Sequence, residues 1–200
     1  MGYIDEIFRK GIHLGSVVIP ALAIFYDRID LVLSLLAVAA GLLLVDIARN
    51  RNRVFRRFFL GLFGKVLRGK EQEGAMTAST VLVASAALTI FMFRQEVAVS
   101  ALVFLSVGDT FAALVGTRYG KVRLVSGRTL EGSLAALFSC LTAGVGLMYI
   151  SGLMGWALTP WGLSAGALAA TLAELFEMPL DDNLRIPVTA GLVMELVIPG

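Results

Sequence analysis

The sequence predicts an all-α, polytopic integral membrane protein: about seven transmembrane helices in a single membrane-embedded domain, residues 1–200, with a cytoplasmic N-terminus. Three observations predict it. First, 58% of the 200 residues are hydrophobic and the mean hydropathy is +0.83, well above the level of soluble domains. Second, apolar stretches recur along the whole chain at the scale of a bilayer crossing, which takes ~20 residues of helix. Third, the basic residues segregate. With the N-terminus inside, fifteen of them (Arg9, Lys10, Arg49, Arg51, Arg53, Arg56, Arg57, Lys65, Arg68, Lys70, Arg118, Lys121, Arg123, Arg128 and Arg185) fall in inside segments, and only Arg28 and Arg94 fall outside. That is the positive-inside bias of a membrane topology. No polar linker, low-complexity segment or internal repeat divides the chain, so one domain is expected.

In chain order, residues 3–10 read as an amphipathic interfacial turn. An apolar stretch follows Arg9 and Lys10, as in a signal peptide, but Asp5 and Glu6 precede the basic pair and His13 interrupts the apolar start. The first span, 12–26, is therefore expected to be retained. The second is 31–47. Between 48 and 74 arginines alternate with Val54, Phe55, Phe58, Phe59, Leu60 and Phe63. This pattern suits a helix lying in the cytoplasmic interface, each basic residue contributing about 1 kcal/mol of attraction to anionic lipid. Further spans follow at 76–93, 97–116, 133–150, 156–176 and 185–199, the first and last of the seven being short. The small-residue spacings Gly11/Gly15 and Gly162/Gly166 predict close helix contacts.

Composition also excludes chemistries. The net charge of +2 is accounted for by membrane topology and gives no reason to expect a nucleic-acid partner. The single cysteine, Cys140, lies in an apolar span, so there is no disulfide framework. One Cys and one His cannot make a Cys/His zinc site.

The strongest functional signal is Asp109, inside the apolar run 100–116. A carboxylate at the centre of a membrane helix costs about 2.5–3.5 kcal/mol on insertion scales and so marks a functional position. From Val107 the text reads VGDTFAALVGTRYGKVRLVSGRTLEGS: small residues, a basic cluster, then a second acid, Glu131. GTRYGK is not a Walker loop, because it is GxxxGK with no preceding strand. Glycines nevertheless let backbone approach a ligand, and Arg118, Lys121, Arg123 and Arg128 supply charge for phosphates. A third acidic group stands in AELFEMPLDDNLRIP, residues 173–187. Glu174 and Glu177 share a helix face, and 179–183 reads as a turn. Asp109, Glu131 and the Asp181/Asp182 pair all fall at one predicted membrane boundary. Hard oxygen ligands beside a basic surface suit Mg²⁺ carried by a nucleotide.

The run GDTFAALVGTRYGK…GRTLEGS, with RKGIH at 9–13 and AELFEMPLDDNLRIP near the end, resembles the membrane lipid-alcohol kinases, a family including dolichol kinase, phytol kinase and yeast-type CTP-dependent diacylglycerol kinase. The resemblance covers essentially all 200 residues. It implies phosphoryl transfer from CTP, or another nucleotide, to the hydroxyl of a lipid alcohol in the membrane. It further implies Asp109, Asp181 and Asp182 as catalytic and metal carboxylates for Mg²⁺, with Glu131 a fourth metal candidate. Lys121, Arg128, Thr129 and Glu131 then form the nucleotide-phosphate region with Arg118 and Asn183, and Arg9, Lys10 and His13 match an N-terminal basic motif, His13 as a phosphate contact or proton acceptor. Asp182 is the carboxylate expected to orient or deprotonate the alcohol, and the tail is expected between helices at Leu102, Phe104 and Phe111. The family usually has Lys where this chain has Arg128, which keeps the charge and changes the geometry. Further candidates are Asp46, for which Arg49 offers a plain pairing partner, Arg68 and Glu71 in a loosely matching loop, and Glu174 and Glu177. Glu195 has no motif around it.

The same arrangement resembles phosphatidate cytidylyltransferase more distantly. That family carries a Pro-Gly-His-Gly-Gly turn before its acids, where this chain has a short DDNLRIP turn without histidine. A cation- or proton-coupled transporter is the rival from another class, opposed by the lack of an inverted repeat and by acids gathered at one membrane face. A homodimer is left open. The lack of long insertions suits a prokaryotic cytoplasmic membrane with the active site facing the cytoplasm.

Overall fold

The computed structural model describes residues 3–64, 66–124, 127–176 and 180–198, and nearly all of them are helical. Helix α1 (Tyr3–Leu14) passes through one 3-10 turn, Gly15–Val17, into α2 (Val18–Phe25). The turn tightens there because Pro20 has no N–H to give the Ser16 carbonyl. Helix α3 (Arg28–Arg51) starts at Asp27, whose carboxylate accepts from the amides of Ile29 and Asp30. Asn52 ends α3 and caps α4 (Arg53–Phe63), accepting from the Val54 and Phe55 amides. The short α5 (Gly69–Glu73) is held by Glu71, which accepts from the Arg68 amide at 2.6 Å. There follow α6 (Ala78–Met92), α7 (Gln95–Tyr119), α8 (Leu130–Met154), α9 (Pro160–Leu175) and α10 (Asp182–Val197). Thr129, Thr159 and Asp181 cap the last three with side-chain oxygens, as short polar residues do at helix starts.

Among the described residues, every apolar stretch expected to span falls mainly on a helix, though the stretch at 156–176 becomes helical only at Pro160. Four helical segments among the described residues are long and apolar enough to cross a membrane: Ile7–Phe25, Arg28–Arg51, Gln95–Tyr119 and Leu130–Met154. Helices α6, α9 and α10, of 15, 16 and 16 residues, fall short of the ~20 that an upright crossing takes. Large apolar side chains such as Phe25, Trp161 and Leu196 lie bare on the outside, as they do where the solvent is lipid.

Helix α7 is the axis. It packs most extensively on α8 and also on α10, α1 and α2, while α9 pairs with α10 and α3 with α6. Within its apolar window 72% is buried, against 22% to 28% for the other three long segments. Close approach depends on glycine. A Cβ on Gly166 would meet Met194 at 2.5 Å, and one on Gly162 would meet Ile198 at 2.3 Å, so this predicted spacing is a true helix contact. Gly11 and Gly15 correct the other prediction, since a Cβ there meets nothing within 4 Å.

The tail groove expected at Leu102, Phe104 and Phe111 is also corrected. Leu102 and Phe104 are buried in the core and Phe111 is exposed, because the central helix spends its apolar side chains on its neighbours.

Candidate functional site

Two cavities flank the charged cluster, Asp109 lining the larger and Arg128 the smaller. The larger, about 480 Å³, lies among α1, α3, α4, α5 and α6. One end is polar, with Arg9, Lys10, His13, Arg68, Asp109 and Asn183. Its apolar lining includes Ile19, Leu42, Phe59, Phe63, Leu82 and Val83, and Asp46, Glu71, Thr77 and Ser79 also border it. The smaller, about 390 Å³, follows the α7–α8 connection and is lined by Gly116, Gly120, Arg123, Arg128, Thr129 and Glu174 among others.

The sequence builds the polar end from residues far apart. Lys10 and His13 are three positions apart on α1 and so face the same way. Lys10 Nζ donates to Asp109 Oδ2 in a buried ion pair. His13 Nε2 lies 3.3 Å from the same oxygen, yet it is buried and without a hydrogen-bond partner. A neutral imidazole nitrogen in that position is a proton acceptor. Asp109 is thus held by a cation and watched by a base, while both reach the cavity.

Arg128 joins the acids of the other side. Its Nη1 is 3.1 Å from Glu174 Oε1 and its Nη2 is 2.8 Å from Asp182 Oδ2. Burial opposes its charge, but Glu174, Asp182 and Asp109 outweigh that and raise its pKa above the ordinary arginine value. Arg185, three residues on, also donates to Asp182. Asp181 caps α10, accepts from the Asn183 side chain at 2.8 Å and faces Arg68 at 3.9 Å. Glu174 Oε2 is buried without a hydrogen-bond partner.

The structure therefore brings together Asp109, Lys10, His13, Arg128, Glu174, Asp181, Asp182 and Asn183, with Arg9 and Arg68 at the cavity edge. It sets others apart. Glu131 turns to the connection, where its carboxylate accepts from the Val122 amide at 3.3 Å. Lys121 is exposed there, and Arg118 reaches the Tyr119 hydroxyl at 3.0 Å. Thr129 caps α8 through the Gly132 amide. The glycines of this motif serve packing as well as access: a Cβ on Gly116 would meet Thr129 Oγ1 at 2.8 Å, and one on Gly132 would meet the Ala112 carbonyl at 2.7 Å. Glu177 lies outside the described residues.

Among the described residues, no three His, Cys, Asp or Glu side chains converge on a point that could hold a metal ion. The expected set of Asp109, Asp181, Asp182 and Glu131 is not assembled as a cage, Glu131 being turned to the connection and each aspartate already engaged. This still fits Mg²⁺, which is commonly held by one or two carboxylates plus substrate phosphates. The buried, unpartnered Glu174 Oε2 is a donor of the right chemistry.

Asp46 does pair with Arg49, at 2.9 Å. It also anchors a network missed in the sequence: its Oδ2 accepts from the Thr77 amide and from the hydroxyls of Thr77 and Thr80. Arg49 goes on to the carbonyls of Glu71 and Ala75. Glu71 accepts from the amides of Arg68 and Ala78, so it is a brace of this loop. The one available signal was Asp46 at the end of an apolar run.

Known proteins place the chain. No family model matches it, and no solved structure matches it. An uncharacterised protein of Rickettsia prowazekii is 27% identical over 185 residues, 90% of this chain and 89% of that protein. The CTP-dependent diacylglycerol kinase 1 of Schizosaccharomyces pombe is 27% identical over 170 residues, 76% of this chain and 74% of that protein. The probable phytol kinase 2 of Oryza sativa subsp. japonica is 32% identical over 119 residues, 56% of this chain but 39% of that longer protein. With an apolar helical fold and a buried acid–base cluster at its centre, the chain is similar to the phytol kinases and to the CTP-dependent diacylglycerol kinase.

Proposed function

We propose that this protein transfers the γ-phosphoryl group of CTP, or another nucleoside triphosphate, to the hydroxyl of a membrane lipid alcohol of the polyprenol, phytol or diacylglycerol kind. The observation that carries the reading is the large cavity, where an extensive apolar lining meets Lys10, His13 and Asp109. A water-soluble substrate has no use for the chamber, and a purely apolar one has no use for the buried charges.

The nucleotide occupies the cleft along the α7–α8 connection, where glycine backbone, Arg123 and Arg128 face the phosphates. Asp109, Asp181 and Asp182, with Glu174, are the residues that would hold Mg²⁺, which supplies charge neutralisation to the polyphosphate. The alcohol oxygen forms a bond to the γ-phosphorus as the bond to the β–γ bridging oxygen breaks, and the nucleoside diphosphate leaves. The hydroxyl proton passes to His13 Nε2, and Asp109 beside it stabilises the imidazolium. Asp182, committed to Arg128 and Arg185, positions these cations rather than taking the proton. Lys10 and Arg128 offset charge on the group in flight.

The membrane arrangement belongs to the same reading: seven crossings, the shorter three tilted or partly re-entrant, with the N-terminus and the site on the cytoplasmic side, as the fifteen inside basic residues favour.

The test is transfer from γ-labelled CTP, with ATP, GTP and UTP as comparators, into a panel of lipid alcohols, with Mg²⁺ or EDTA and an Asp109→Asn control. Labelled lipid phosphate that needs Mg²⁺ and Asp109 is expected. Pyrophosphate release with CDP-lipid made from phosphatidic acid would replace this reading with the cytidylyltransferase one.

A further inference from the structure

Helix α4 is the element the catalytic reading leaves unexplained. At 100° per residue, Phe55, Phe59 and Phe63 lie along one line, their rings 6.4 and 5.0 Å apart. Val54, Phe58 and Leu62 lie along the next, bare to the outside. Arg53, Arg56 and Arg57 occupy the opposite arc. Such a helix lies in the membrane plane with arginines among the phosphates and rings at the depth of the chains. Phe59 and Phe63 are also in the lining of the large cavity, at its apolar part. The chamber therefore has a wall at the level where a lipid tail already sits.

That wall is anchored by Arg56, which donates to the Gln72 carbonyl at 2.7 Å, and by Arg49. Arg49, buried and tied to Asp46 and to the Glu71 carbonyl, stacks on the Phe59 ring at 5.4 Å. Phe63, one turn on, is half exposed and free to follow the shape of what it covers. Among the described residues, the apolar side chains of α7 that face the bundle are packed against other helices and leave a tail no room there.

We propose that α4 is the tail-recognition wall of the substrate site, Phe59 and Phe63 packing directly on the hydrocarbon chain of the lipid alcohol, which enters sideways from the leaflet beneath this helix. The proposal rests on the lipid-alcohol reading above and names the residues that select among alcohols. Reaction at the hydroxyl does not involve these rings, so their effect is confined to substrates long enough to reach them.

The test uses the full chain in nanodiscs and has two arms. In the kinetic arm, Phe63→Ala and the milder Phe59→Leu are compared with the parent on geranylgeraniol and on hexanol. Loss of apolar contact is expected to raise KM for geranylgeraniol about tenfold, with the KM values for hexanol and nucleotide unchanged. Equal shifts for both alcohols, or none, would overturn the proposal. In the binding arm, a long-chain alcohol with a diazirine at its tail is photolysed without nucleotide and the label is mapped by mass spectrometry. Label on α4 that geranylgeraniol competes away supports the wall even if no nucleotide yields a phosphorylated product, an outcome that would instead remove the kinase reading. Label confined to other helices overturns the wall while leaving the kinase intact.

Discussion

Lys10 Nζ donates to the Asp109 carboxylate across 99 positions of sequence, and both side chains are buried. Neither charge is tolerable there alone. Removing one member of a buried pair costs about 3–5 kcal/mol, mostly from the charge left behind. Lys10→Met should therefore lower the thermal midpoint in detergent by on the order of ten degrees. The double variant Lys10→Met/Asp109→Asn should recover much of that loss. Simple additivity of the two changes would show that the pair is not coupled. Asp109→Asn should also lower phosphoryl transfer at least about a hundredfold, with folding checked separately.

Arg128 bridges two carboxylates, Glu174 and Asp182, from a cleft that its guanidinium also faces. Arg128→Gln removes the shared cation and leaves the two acids close together. The expected result is a nucleotide KM raised at least about tenfold, since charge-assisted contacts to phosphate carry roughly 1.5–3 kcal/mol each. Arg128→Lys should retain most of the nucleotide affinity and lose part of kcat, because an ammonium keeps the charge but cannot span both carboxylates at once. An unchanged KM for the Gln variant would remove Arg128 from the nucleotide site.

The sequence made the helices legible because lipid rewards long apolar runs, and among the described residues each of the seven predicted spans falls mainly on a helix. Length was harder. Hydropathy marks where α9 and α10 lie, but their ends are fixed by Phe176, Asp181 and Ile198 in extended backbone, which trims each to 16 residues. Within the site, Asp109, the Asp181/Asp182 pair and the RKGIH motif were legible because charge is costly in an apolar segment. Which charge meets which was not: Lys10 with Asp109, and Arg128 with Glu174 and Asp182, are tertiary pairings that no local spacing encodes, whereas Asp182 with Arg185 is a local i,i+3 pair. The tail groove was misplaced for a related reason. Apolar residues of a membrane helix read alike whether they face lipid, a ligand or another helix, and only packing separates Phe104 from Phe59.

Gly116 and Gly132 hold α7 and α8 close enough for Thr129 to cap α8 beside the cleft. Alanine at Gly132 would drive its Cβ to 2.7 Å from the Ala112 carbonyl, and backbone cannot rotate away as a side chain can. Overpacking of this kind costs about 1–3 kcal/mol. Gly132→Ala should lower the thermal midpoint and weaken nucleotide binding together. Gly11→Ala, in open space, should leave both unchanged. Equal tolerance at the two positions would mean the helices separate easily and that the close contact does not shape the cleft.

Asp46 holds the loop between α4 and α6 through four hydrogen bonds, from Arg49, the Thr77 amide and the hydroxyls of Thr77 and Thr80. Asp46→Ala strips all four and leaves the buried Arg49 without an opposing charge, a loss of about 3–5 kcal/mol by the same reasoning as for Lys10. The damage should be local before it is global, because residues 66–77 contain little apolar packing beyond Leu67. Hydrogen exchange at Gln72, Ala75 and Thr77 should therefore accelerate far more than in α7. Asp46→Asn keeps an acceptor for Arg49 and should show a smaller effect of the same pattern. Uniform acceleration across all helices would instead mean that Asp46 supports the whole bundle, and protection unchanged at Thr77 would show that the network does not hold this loop.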